Sequence, residues 1–148
     1  MAGNDSALKC LMDALREAGV KLTHQRLQIV TELLETEGHP SVGEIYGAVR
    51  EKIPSISLDT VYRTMRTLSG LGLIQPVGSG SERIRFDTDL RPHHHFVCCV
   101  CGEAYDFTCP DLDSIPVPRQ AEALGSVRGT RVEVRGVCNR CLKKGTAE

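Results

Sequence analysis

The chain has 148 residues, with 18 Lys and Arg against 19 Asp and Glu, a net charge of −1, and 41% hydrophobic content. This length accommodates one or two small domains, and the charge balance excludes a general polycation, so any contact with nucleic acid must come from a local arrangement of basic side chains. No apolar run reaches the roughly 20 residues needed to cross a bilayer, and the first residues lack the basic-then-apolar layout of a secretory leader, which predicts a cytoplasmic protein with no membrane partner.

In chain order, the first 70 or so residues read as helices. Leu8, Leu11, Met12 and Leu15 share one face of a helix, and Gly19 is a plausible stop. A second apolar stripe runs through Leu27, Val30, Leu33 and Leu34 and ends near Gly38. Ser41 with Glu44 forms a capping box that opens a third helix, with Val42, Ile45, Tyr46 and Val49 on one face and Pro54 closing it. Ser57 caps a fourth, with Leu58, Val61, Met65 and Leu68 inward, Asp59 in its first turn, and Gly70 and Gly72 past its end.

The period then changes. Leu73 to Val77 predicts a strand, Gly78 to Ser81 a turn, and Arg83-Ile84-Arg85-Phe86 a second, alternating strand. Helices followed by a hairpin carrying arginines describe a winged helix-turn-helix domain over residues 1–86. Residues 87–92 form a hinge to a second domain, 93–148, where Phe96 to Cys98, Ala104 to Phe107 and Arg131 to Val134 are expected strands. Pro110, Pro116 and Pro118 leave room there for one short helix around Arg119 to Leu124.

Seven cysteines stand out, and only Cys10 precedes Cys98. An odd number without a leader argues against a disulfide scaffold. Cys98-x-x-Cys101 and Cys138-x-x-Cys141 supply four thiolates, a closed tetrahedral set that suits a structural Zn(2+). A redox CxxC comes singly at the start of a helix, so paired knuckles favour zinc. Cys99 lies inside the first pair, yet Cys98 with Cys101 has the better spacing. Cys10 and Cys109 read as ordinary part-buried thiols.

A harder ligand set precedes the first knuckle. If His93-His94-His95 is strand, His93 and His95 share a face and His94 points away. Asp87, Asp89 and Asp106 are candidate carboxylate partners, and imidazole with carboxylate suits Fe(II), Mn(II) or Zn(II). His39, before Pro40, reads on its own as a surface or capping residue.

With these pieces in place the chain resembles the ferric uptake regulator family along nearly its whole length. The matching stretches are LTHQR at Leu22 to Arg26, GHPSVGEIY at Gly38 to Tyr46, SLDTVYRTM at Ser57 to Met65 and GLI at Gly72 to Ile74. RFD at Arg85 to Asp87, HHHFVCCVCG at His93 to Gly102, DF at Asp106-Phe107 and GVCNRC at Gly136 to Cys141 complete them.

The resemblance implies an α+β protein: an N-terminal winged helix-turn-helix domain followed by a small α/β dimerisation domain with a structural zinc site. It implies a homodimeric, metal-dependent repressor that binds a palindromic DNA operator and is not an enzyme. Zinc, one per chain, would take Cys98, Cys101, Cys138 and Cys141. One regulatory Fe(2+) or Mn(2+) per chain would take His39, Asp87, His93, His95 and Asp106, which promotes His39 and drops Asp89. Aspartate at positions 87 and 106 resembles the peroxide-responsive branch, in which the equivalents of His39 or His93 are oxidised and DNA is released. An iron-responsive and a zinc-responsive repressor are the alternatives within the family. A further family site is expected to be missing, because Thr130 and His94 stand where a histidine and a carboxylate are common.

The fourth helix is the recognition candidate, with Thr60, Tyr62, Arg63 and Arg66 toward the major groove. Lys21, Arg26, Arg83 and Arg85 would touch phosphates. Competing classes explain less. A zinc deaminase needs a histidine followed two residues later by its glutamate, which this chain lacks. A plain zinc-ribbon interaction module would leave the His/Asp set without a purpose.

Overall fold

Four helices open the chain: α1 (Ala2–Glu17), α2 (His24–Glu35), α3 (Val42–Lys52) and α4 (Leu58–Gly70). The computed structural model describes residues 2–78, 84–127 and 129–145. The starts of α2 to α4 follow from their caps, because a side-chain oxygen there satisfies an amide that the helix leaves unpaired. Thr23 accepts from the Arg26 N–H at 3.2 Å, and Ser57 from the Thr60 N–H at 3.1 Å. Ser41 and Glu44 form the reciprocal box, with bonds of 3.2 and 2.7 Å.

The end of α4 is closed by Gly72, whose φ of +72° suits a residue without Cβ. Its N–H reaches the Ser69 carbonyl at 3.0 Å, and the Leu73 N–H reaches that of Leu68 at 2.9 Å. That closure removes Leu73 from the expected strand, so β1 is only Gln75–Val77. It pairs antiparallel with β2 (Arg85–Asp87), Pro76 opposite Phe86. The turn residues Ser79, Gly80 and Ser81, and the wing residue Arg83, lie outside the described residues.

The helices bury Leu15, Ile29, Leu33, Ile45, Val49, Val61, Met65 and Leu68 in one cluster that also takes in Phe86 from β2. Leu58 departs from the sequence expectation and is 51% exposed. It occupies the first position of α4, where no preceding turn covers it, and lines a cleft with Tyr62, Arg66 and Ser69. These follow one another at spacings of four, four and three, one face of the helix beside the buried stripe.

Packing divides the chain between Leu90 and Arg91. The second unit carries β3 (His94–Cys98), β4 (Ala104–Phe107), α5 (Pro110–Asp113), α6 (Arg119–Glu122), β5 (Glu133–Gly136) and α7 (Asn139–Lys143). Its sheet has the order β4-β3-β5, antiparallel on one side of β3 and parallel on the other. β5 lies two residues beyond the predicted Arg131 to Val134. The parallel register is the reason: it sets Gly136 level with Cys98, where a Cβ on Gly136 would meet the Phe96 ring at 3.0 Å. The short helices α5 and α7 were not foreseen. The buried cluster here is Cys98, Cys138 and Cys141, with Phe96, Val100, Cys101 and Val137 partly buried around it. No helix among the described residues is long and apolar enough to cross a membrane.

Ser57→Ala is expected to lower the unfolding free energy by about 1 kcal/mol through the lost cap. Met65→Ala, at a fully buried position, should lower it by about 2–5 kcal/mol. Urea unfolding followed by circular dichroism checks both values and their order.

Candidate metal centres and nucleic-acid interface

The four cysteines converge because β3 and β5 run in parallel into their knuckles. Cys98 ends β3, and the chain turns back at Gly102, whose N–H bonds the Cys98 carbonyl at 2.9 Å. Cys138 follows β5 and Cys141 sits on α7. The four sulfurs all lie within 4.8 Å of one another, and Cys101 Sγ is 3.8 Å from Cys138 Sγ. Sulfurs at the corners of a tetrahedron about 2.3 Å from zinc stand about 3.8 Å apart, so the donor set and its spacing fit Zn(2+).

The thiols also ionise unequally. Burial opposes ionisation of Cys98, but the backbone N–H groups of Cys101, Cys138 and Val100 outweigh it and draw the thiol down to about 6. Burial, then the neighbouring sulfurs, push Cys141 up to about 12. Four packed sulfurs cannot all carry charge without a cation among them. The Cys138 N–H donates to Cys98 Sγ at 3.3 Å, and Arg140 Nη2 to Cys101 Sγ at 3.6 Å. Arg140 was missed, although its place inside the second knuckle was a usable signal. Cys99 is exposed, because strand alternation turns it away from Cys98 while its N–H bonds the Gly136 carbonyl at 2.8 Å. Cys10 is exposed and Cys109 half-buried.

At the other end of β3, His93 and His95 face the same way, with Nε2 atoms 3.0 Å apart. Asp106, on β4 opposite His95, brings Oδ1 to 3.4 Å from His93 Nε2 and 3.2 Å from His95 Nε2. His93 Nδ1–H donates to the Arg91 carbonyl at 2.6 Å. This turns the Nε2 lone pair toward His95 and Asp106, the orientation that metal-binding histidines use. Two nitrogens about 2.1 Å from one ion stand about 3 Å apart, so the pair can serve one metal.

His94 points the other way. Its ring is buried and bonds Asp113 Oδ1 at 2.7 Å, while Nδ1 accepts the Val132 N–H at 3.2 Å. It joins β3 to α5 and to the approach of β5, a role unreadable from sequence because α5 itself was not expected.

The first unit holds the remaining candidates. His39 sits in the turn between α2 and α3, buried, with Nε2 3.8 Å from Asp87 Oδ2 on β2. The other oxygen of Asp87 accepts the Asp89 N–H at 2.8 Å. Asp89 therefore contributes its main chain to positioning that carboxylate.

On α4, Tyr62 is half-exposed and, with Arg66, borders a cleft of about 770 Å³ whose opposite wall is Pro76, Ile84 and Phe86. Arg63 pairs with Asp59 at 2.8 Å on open surface. The Thr60 hydroxyl lies 2.8 Å from Ser57 Oγ, within the cap. Arg26 Nη1 donates to the Lys21 carbonyl at 2.6 Å, tying the two expected phosphate contacts together. Arg85 is turned inward, its side chain 16% exposed and its guanidinium on Glu44 and the His39 carbonyl.

The model of the ferric uptake regulator family matches residues 17–134. The peroxide-responsive repressor PerR of Staphylococcus epidermidis is 35% identical over 141 residues, covering 95% of this chain and 94% of that protein. A structure of the Helicobacter pylori ferric uptake regulator, described as revealing three functional metal binding sites, shares the fold with a TM-score of 0.74 at 24% identity, covering 94% of this chain and 93% of its own. A structure of PerR from Streptococcus pyogenes, concerned with peroxide sensing and gene regulation, aligns with a TM-score of 0.51 at 26% identity over 91% of this chain and 92% of its own. The chain belongs to the ferric uptake regulator family, a family of metal-dependent, DNA-binding transcription regulators rather than enzymes.

Cys141→Ser is expected to abolish tightly held zinc, read by atomic absorption. Hydrogen exchange should then show β3 to β5 losing protection, while α2 to α4, with their own apolar core, keep theirs.

Proposed function

We propose that this protein is a peroxide-responsive repressor: a homodimer that binds a palindromic DNA operator in its metal-loaded form and releases it after oxidation. The observation that carries this reading is the His93, His95 and Asp106 set, three donors facing one point with the His93 tautomer already fixed. The second carboxylate, Asp87, is again an aspartate, and the curated relative at 35% identity is a peroxide-responsive repressor.

His39 and Asp87 would complete the regulatory site with His93, His95 and Asp106, and hold one Fe(2+) or Mn(2+) per chain. Cys98, Cys101, Cys138 and Cys141 would hold one structural Zn(2+). Three imidazoles and two carboxylates leave room for a peroxide beside the ligands. Fe(II) held by these residues would supply one-electron reduction of peroxide, being itself oxidised to Fe(III), beside the imidazoles. His39 or His93 would then be the residue that takes up oxygen. Because His39 and Asp87 precede residue 91 and the other ligands follow it, their shared hold would restrain the recognition helices at a fixed spacing.

On DNA, Tyr62, Arg63 and Arg66 would enter the major groove from α4, with Thr60 at its N-terminal end. Asp59 holds Arg63 by only an exposed pair, which costs little to exchange for a base or phosphate. Lys21 and Arg26 would meet phosphates.

Protein loaded with Fe(II) should lose operator binding on addition of peroxide, and its His39 or His93 peptide should gain one oxygen by mass. Protein loaded with Mn(II) should keep both its mass and its DNA. DNA binding that survives peroxide with iron bound would instead mark an iron- or zinc-responsive repressor. His39→Ala should abolish the Mn(II)-dependent part of operator binding in an anisotropy titration.

A further inference from the structure

Arg85, expected on the wing as a phosphate contact, has its cation inside the first unit. Nη1 donates to the His39 carbonyl oxygen at 3.0 Å and to Glu44 Oε2 at 3.0 Å. The same Glu44 oxygen accepts the Ser41 N–H at 2.7 Å and completes the cap of α3. Main-chain bonds run beside this side-chain knot. The Phe86 N–H reaches the Pro40 carbonyl at 2.9 Å, and Ser41 forms a bridge with Arg85.

Residues 39–41 are therefore laid along β2 almost as a further strand. Arg85 and Asp87 are two apart on that strand and so share a face. One grips the main chain of His39 and the other faces its ring, with Oδ2 3.8 Å from Nε2. Burial works against the charge on Glu44, yet the Ser41 N–H and Arg85 hold its carboxyl below the ordinary range, as a persistent ion pair would.

We propose that Arg85 is a positioning residue for the regulatory metal site, fixing the His39 main chain to the wing strand and to the start of α3, and is not a phosphate contact. The proposal rests on the ligand role given to His39 above. Loss of the Arg85 side chain would loosen the His39 end of the turn, which the main-chain bonds at Pro40 and Ser41 do not reach, while leaving the ring and its carboxylate partner chemically intact.

Two measurements on the full-length protein separate these roles. The first is Mn(II) affinity by competition with a fluorescent chelator. The second is the slope of log operator affinity against log salt at saturating Mn(II). Arg85→Ala and Glu44→Gln should each weaken Mn(II) binding, by about 10-fold or more for the former, as loss of ligand-supporting groups does. The salt slope should not move, and excess Mn(II) should restore operator binding. Arg85→Lys, which keeps the charge but not the forked donor, should fall between.

A slope that falls by about 0.9 per lost contact, with Mn(II) affinity unchanged, would overturn the proposal and return Arg85 to the DNA. Glu44→Gln cannot remove a phosphate contact, so Mn(II) affinity unmoved in both Glu44→Gln and Arg85→Lys also defeats it, even if Arg85→Ala fails to fold. His39→Ala is the control. If that variant binds Mn(II) like the wild type, the ligand role of His39 fails, whereas a defective His39→Ala beside a normal Arg85→Ala defeats only the positioning role.

Discussion

The second unit depends on four sulfur atoms being brought to one point. Its buried cluster consists of Cys98, Cys138 and Cys141 with a thin apolar surround, too little to hold three short strands by burial alone. A tetrahedral metal held by the four sulfurs would replace the missing core, and its strict geometry would do more than add stability. Such a metal would hold the end of β5 level with the end of β3, as the parallel register Cys98↔Gly136 already sets them. β3 is five residues long and carries the sulfur ligand at one end and the histidines at the other. The same strand that zinc would register therefore presents His95, with His93 just before its first residue, while antiparallel β4 sets Asp106 opposite His95.

The first unit is built on the opposite principle. Its helices have a conventional apolar core, and the candidate ligand His39 sits on a connection laid over that core. His39 occupies the turn between α2 and α3. The bonds from β2 and the capping box at Ser41 hold it, so a loop residue gains the precision of an element. Arg63, Arg66 and Tyr62 need less precision, since α4 itself positions them on its open side.

Much of this was legible locally. Helix starts were read from Ser41 and Ser57, because a cap is chemistry between residues three apart. The cysteine knuckles were read from spacing, and the opposed directions of His94 and of His93 with His95 from strand alternation. Leu58 was misplaced because periodicity cannot show that the first turn of a helix lacks a neighbour above it. Leu73 was misplaced because the glycine closure of α4 competes with the strand for the same residue. The partners of Arg85 were not legible, because Glu44 is 41 residues away.

The sequence by itself determined the four long helices, the two chemically distinct ligand sets and the helix that carries the exposed arginines, since each depends on residues near one another along the chain. Tertiary structure decided which thiol of the Cys98-Cys99 pair faces the other sulfurs, what His94 bonds, where β5 pairs and where the cation of Arg85 is held. Each of those outcomes depends on a register or a partner tens of residues distant, and charge balance or periodicity carries no information about that.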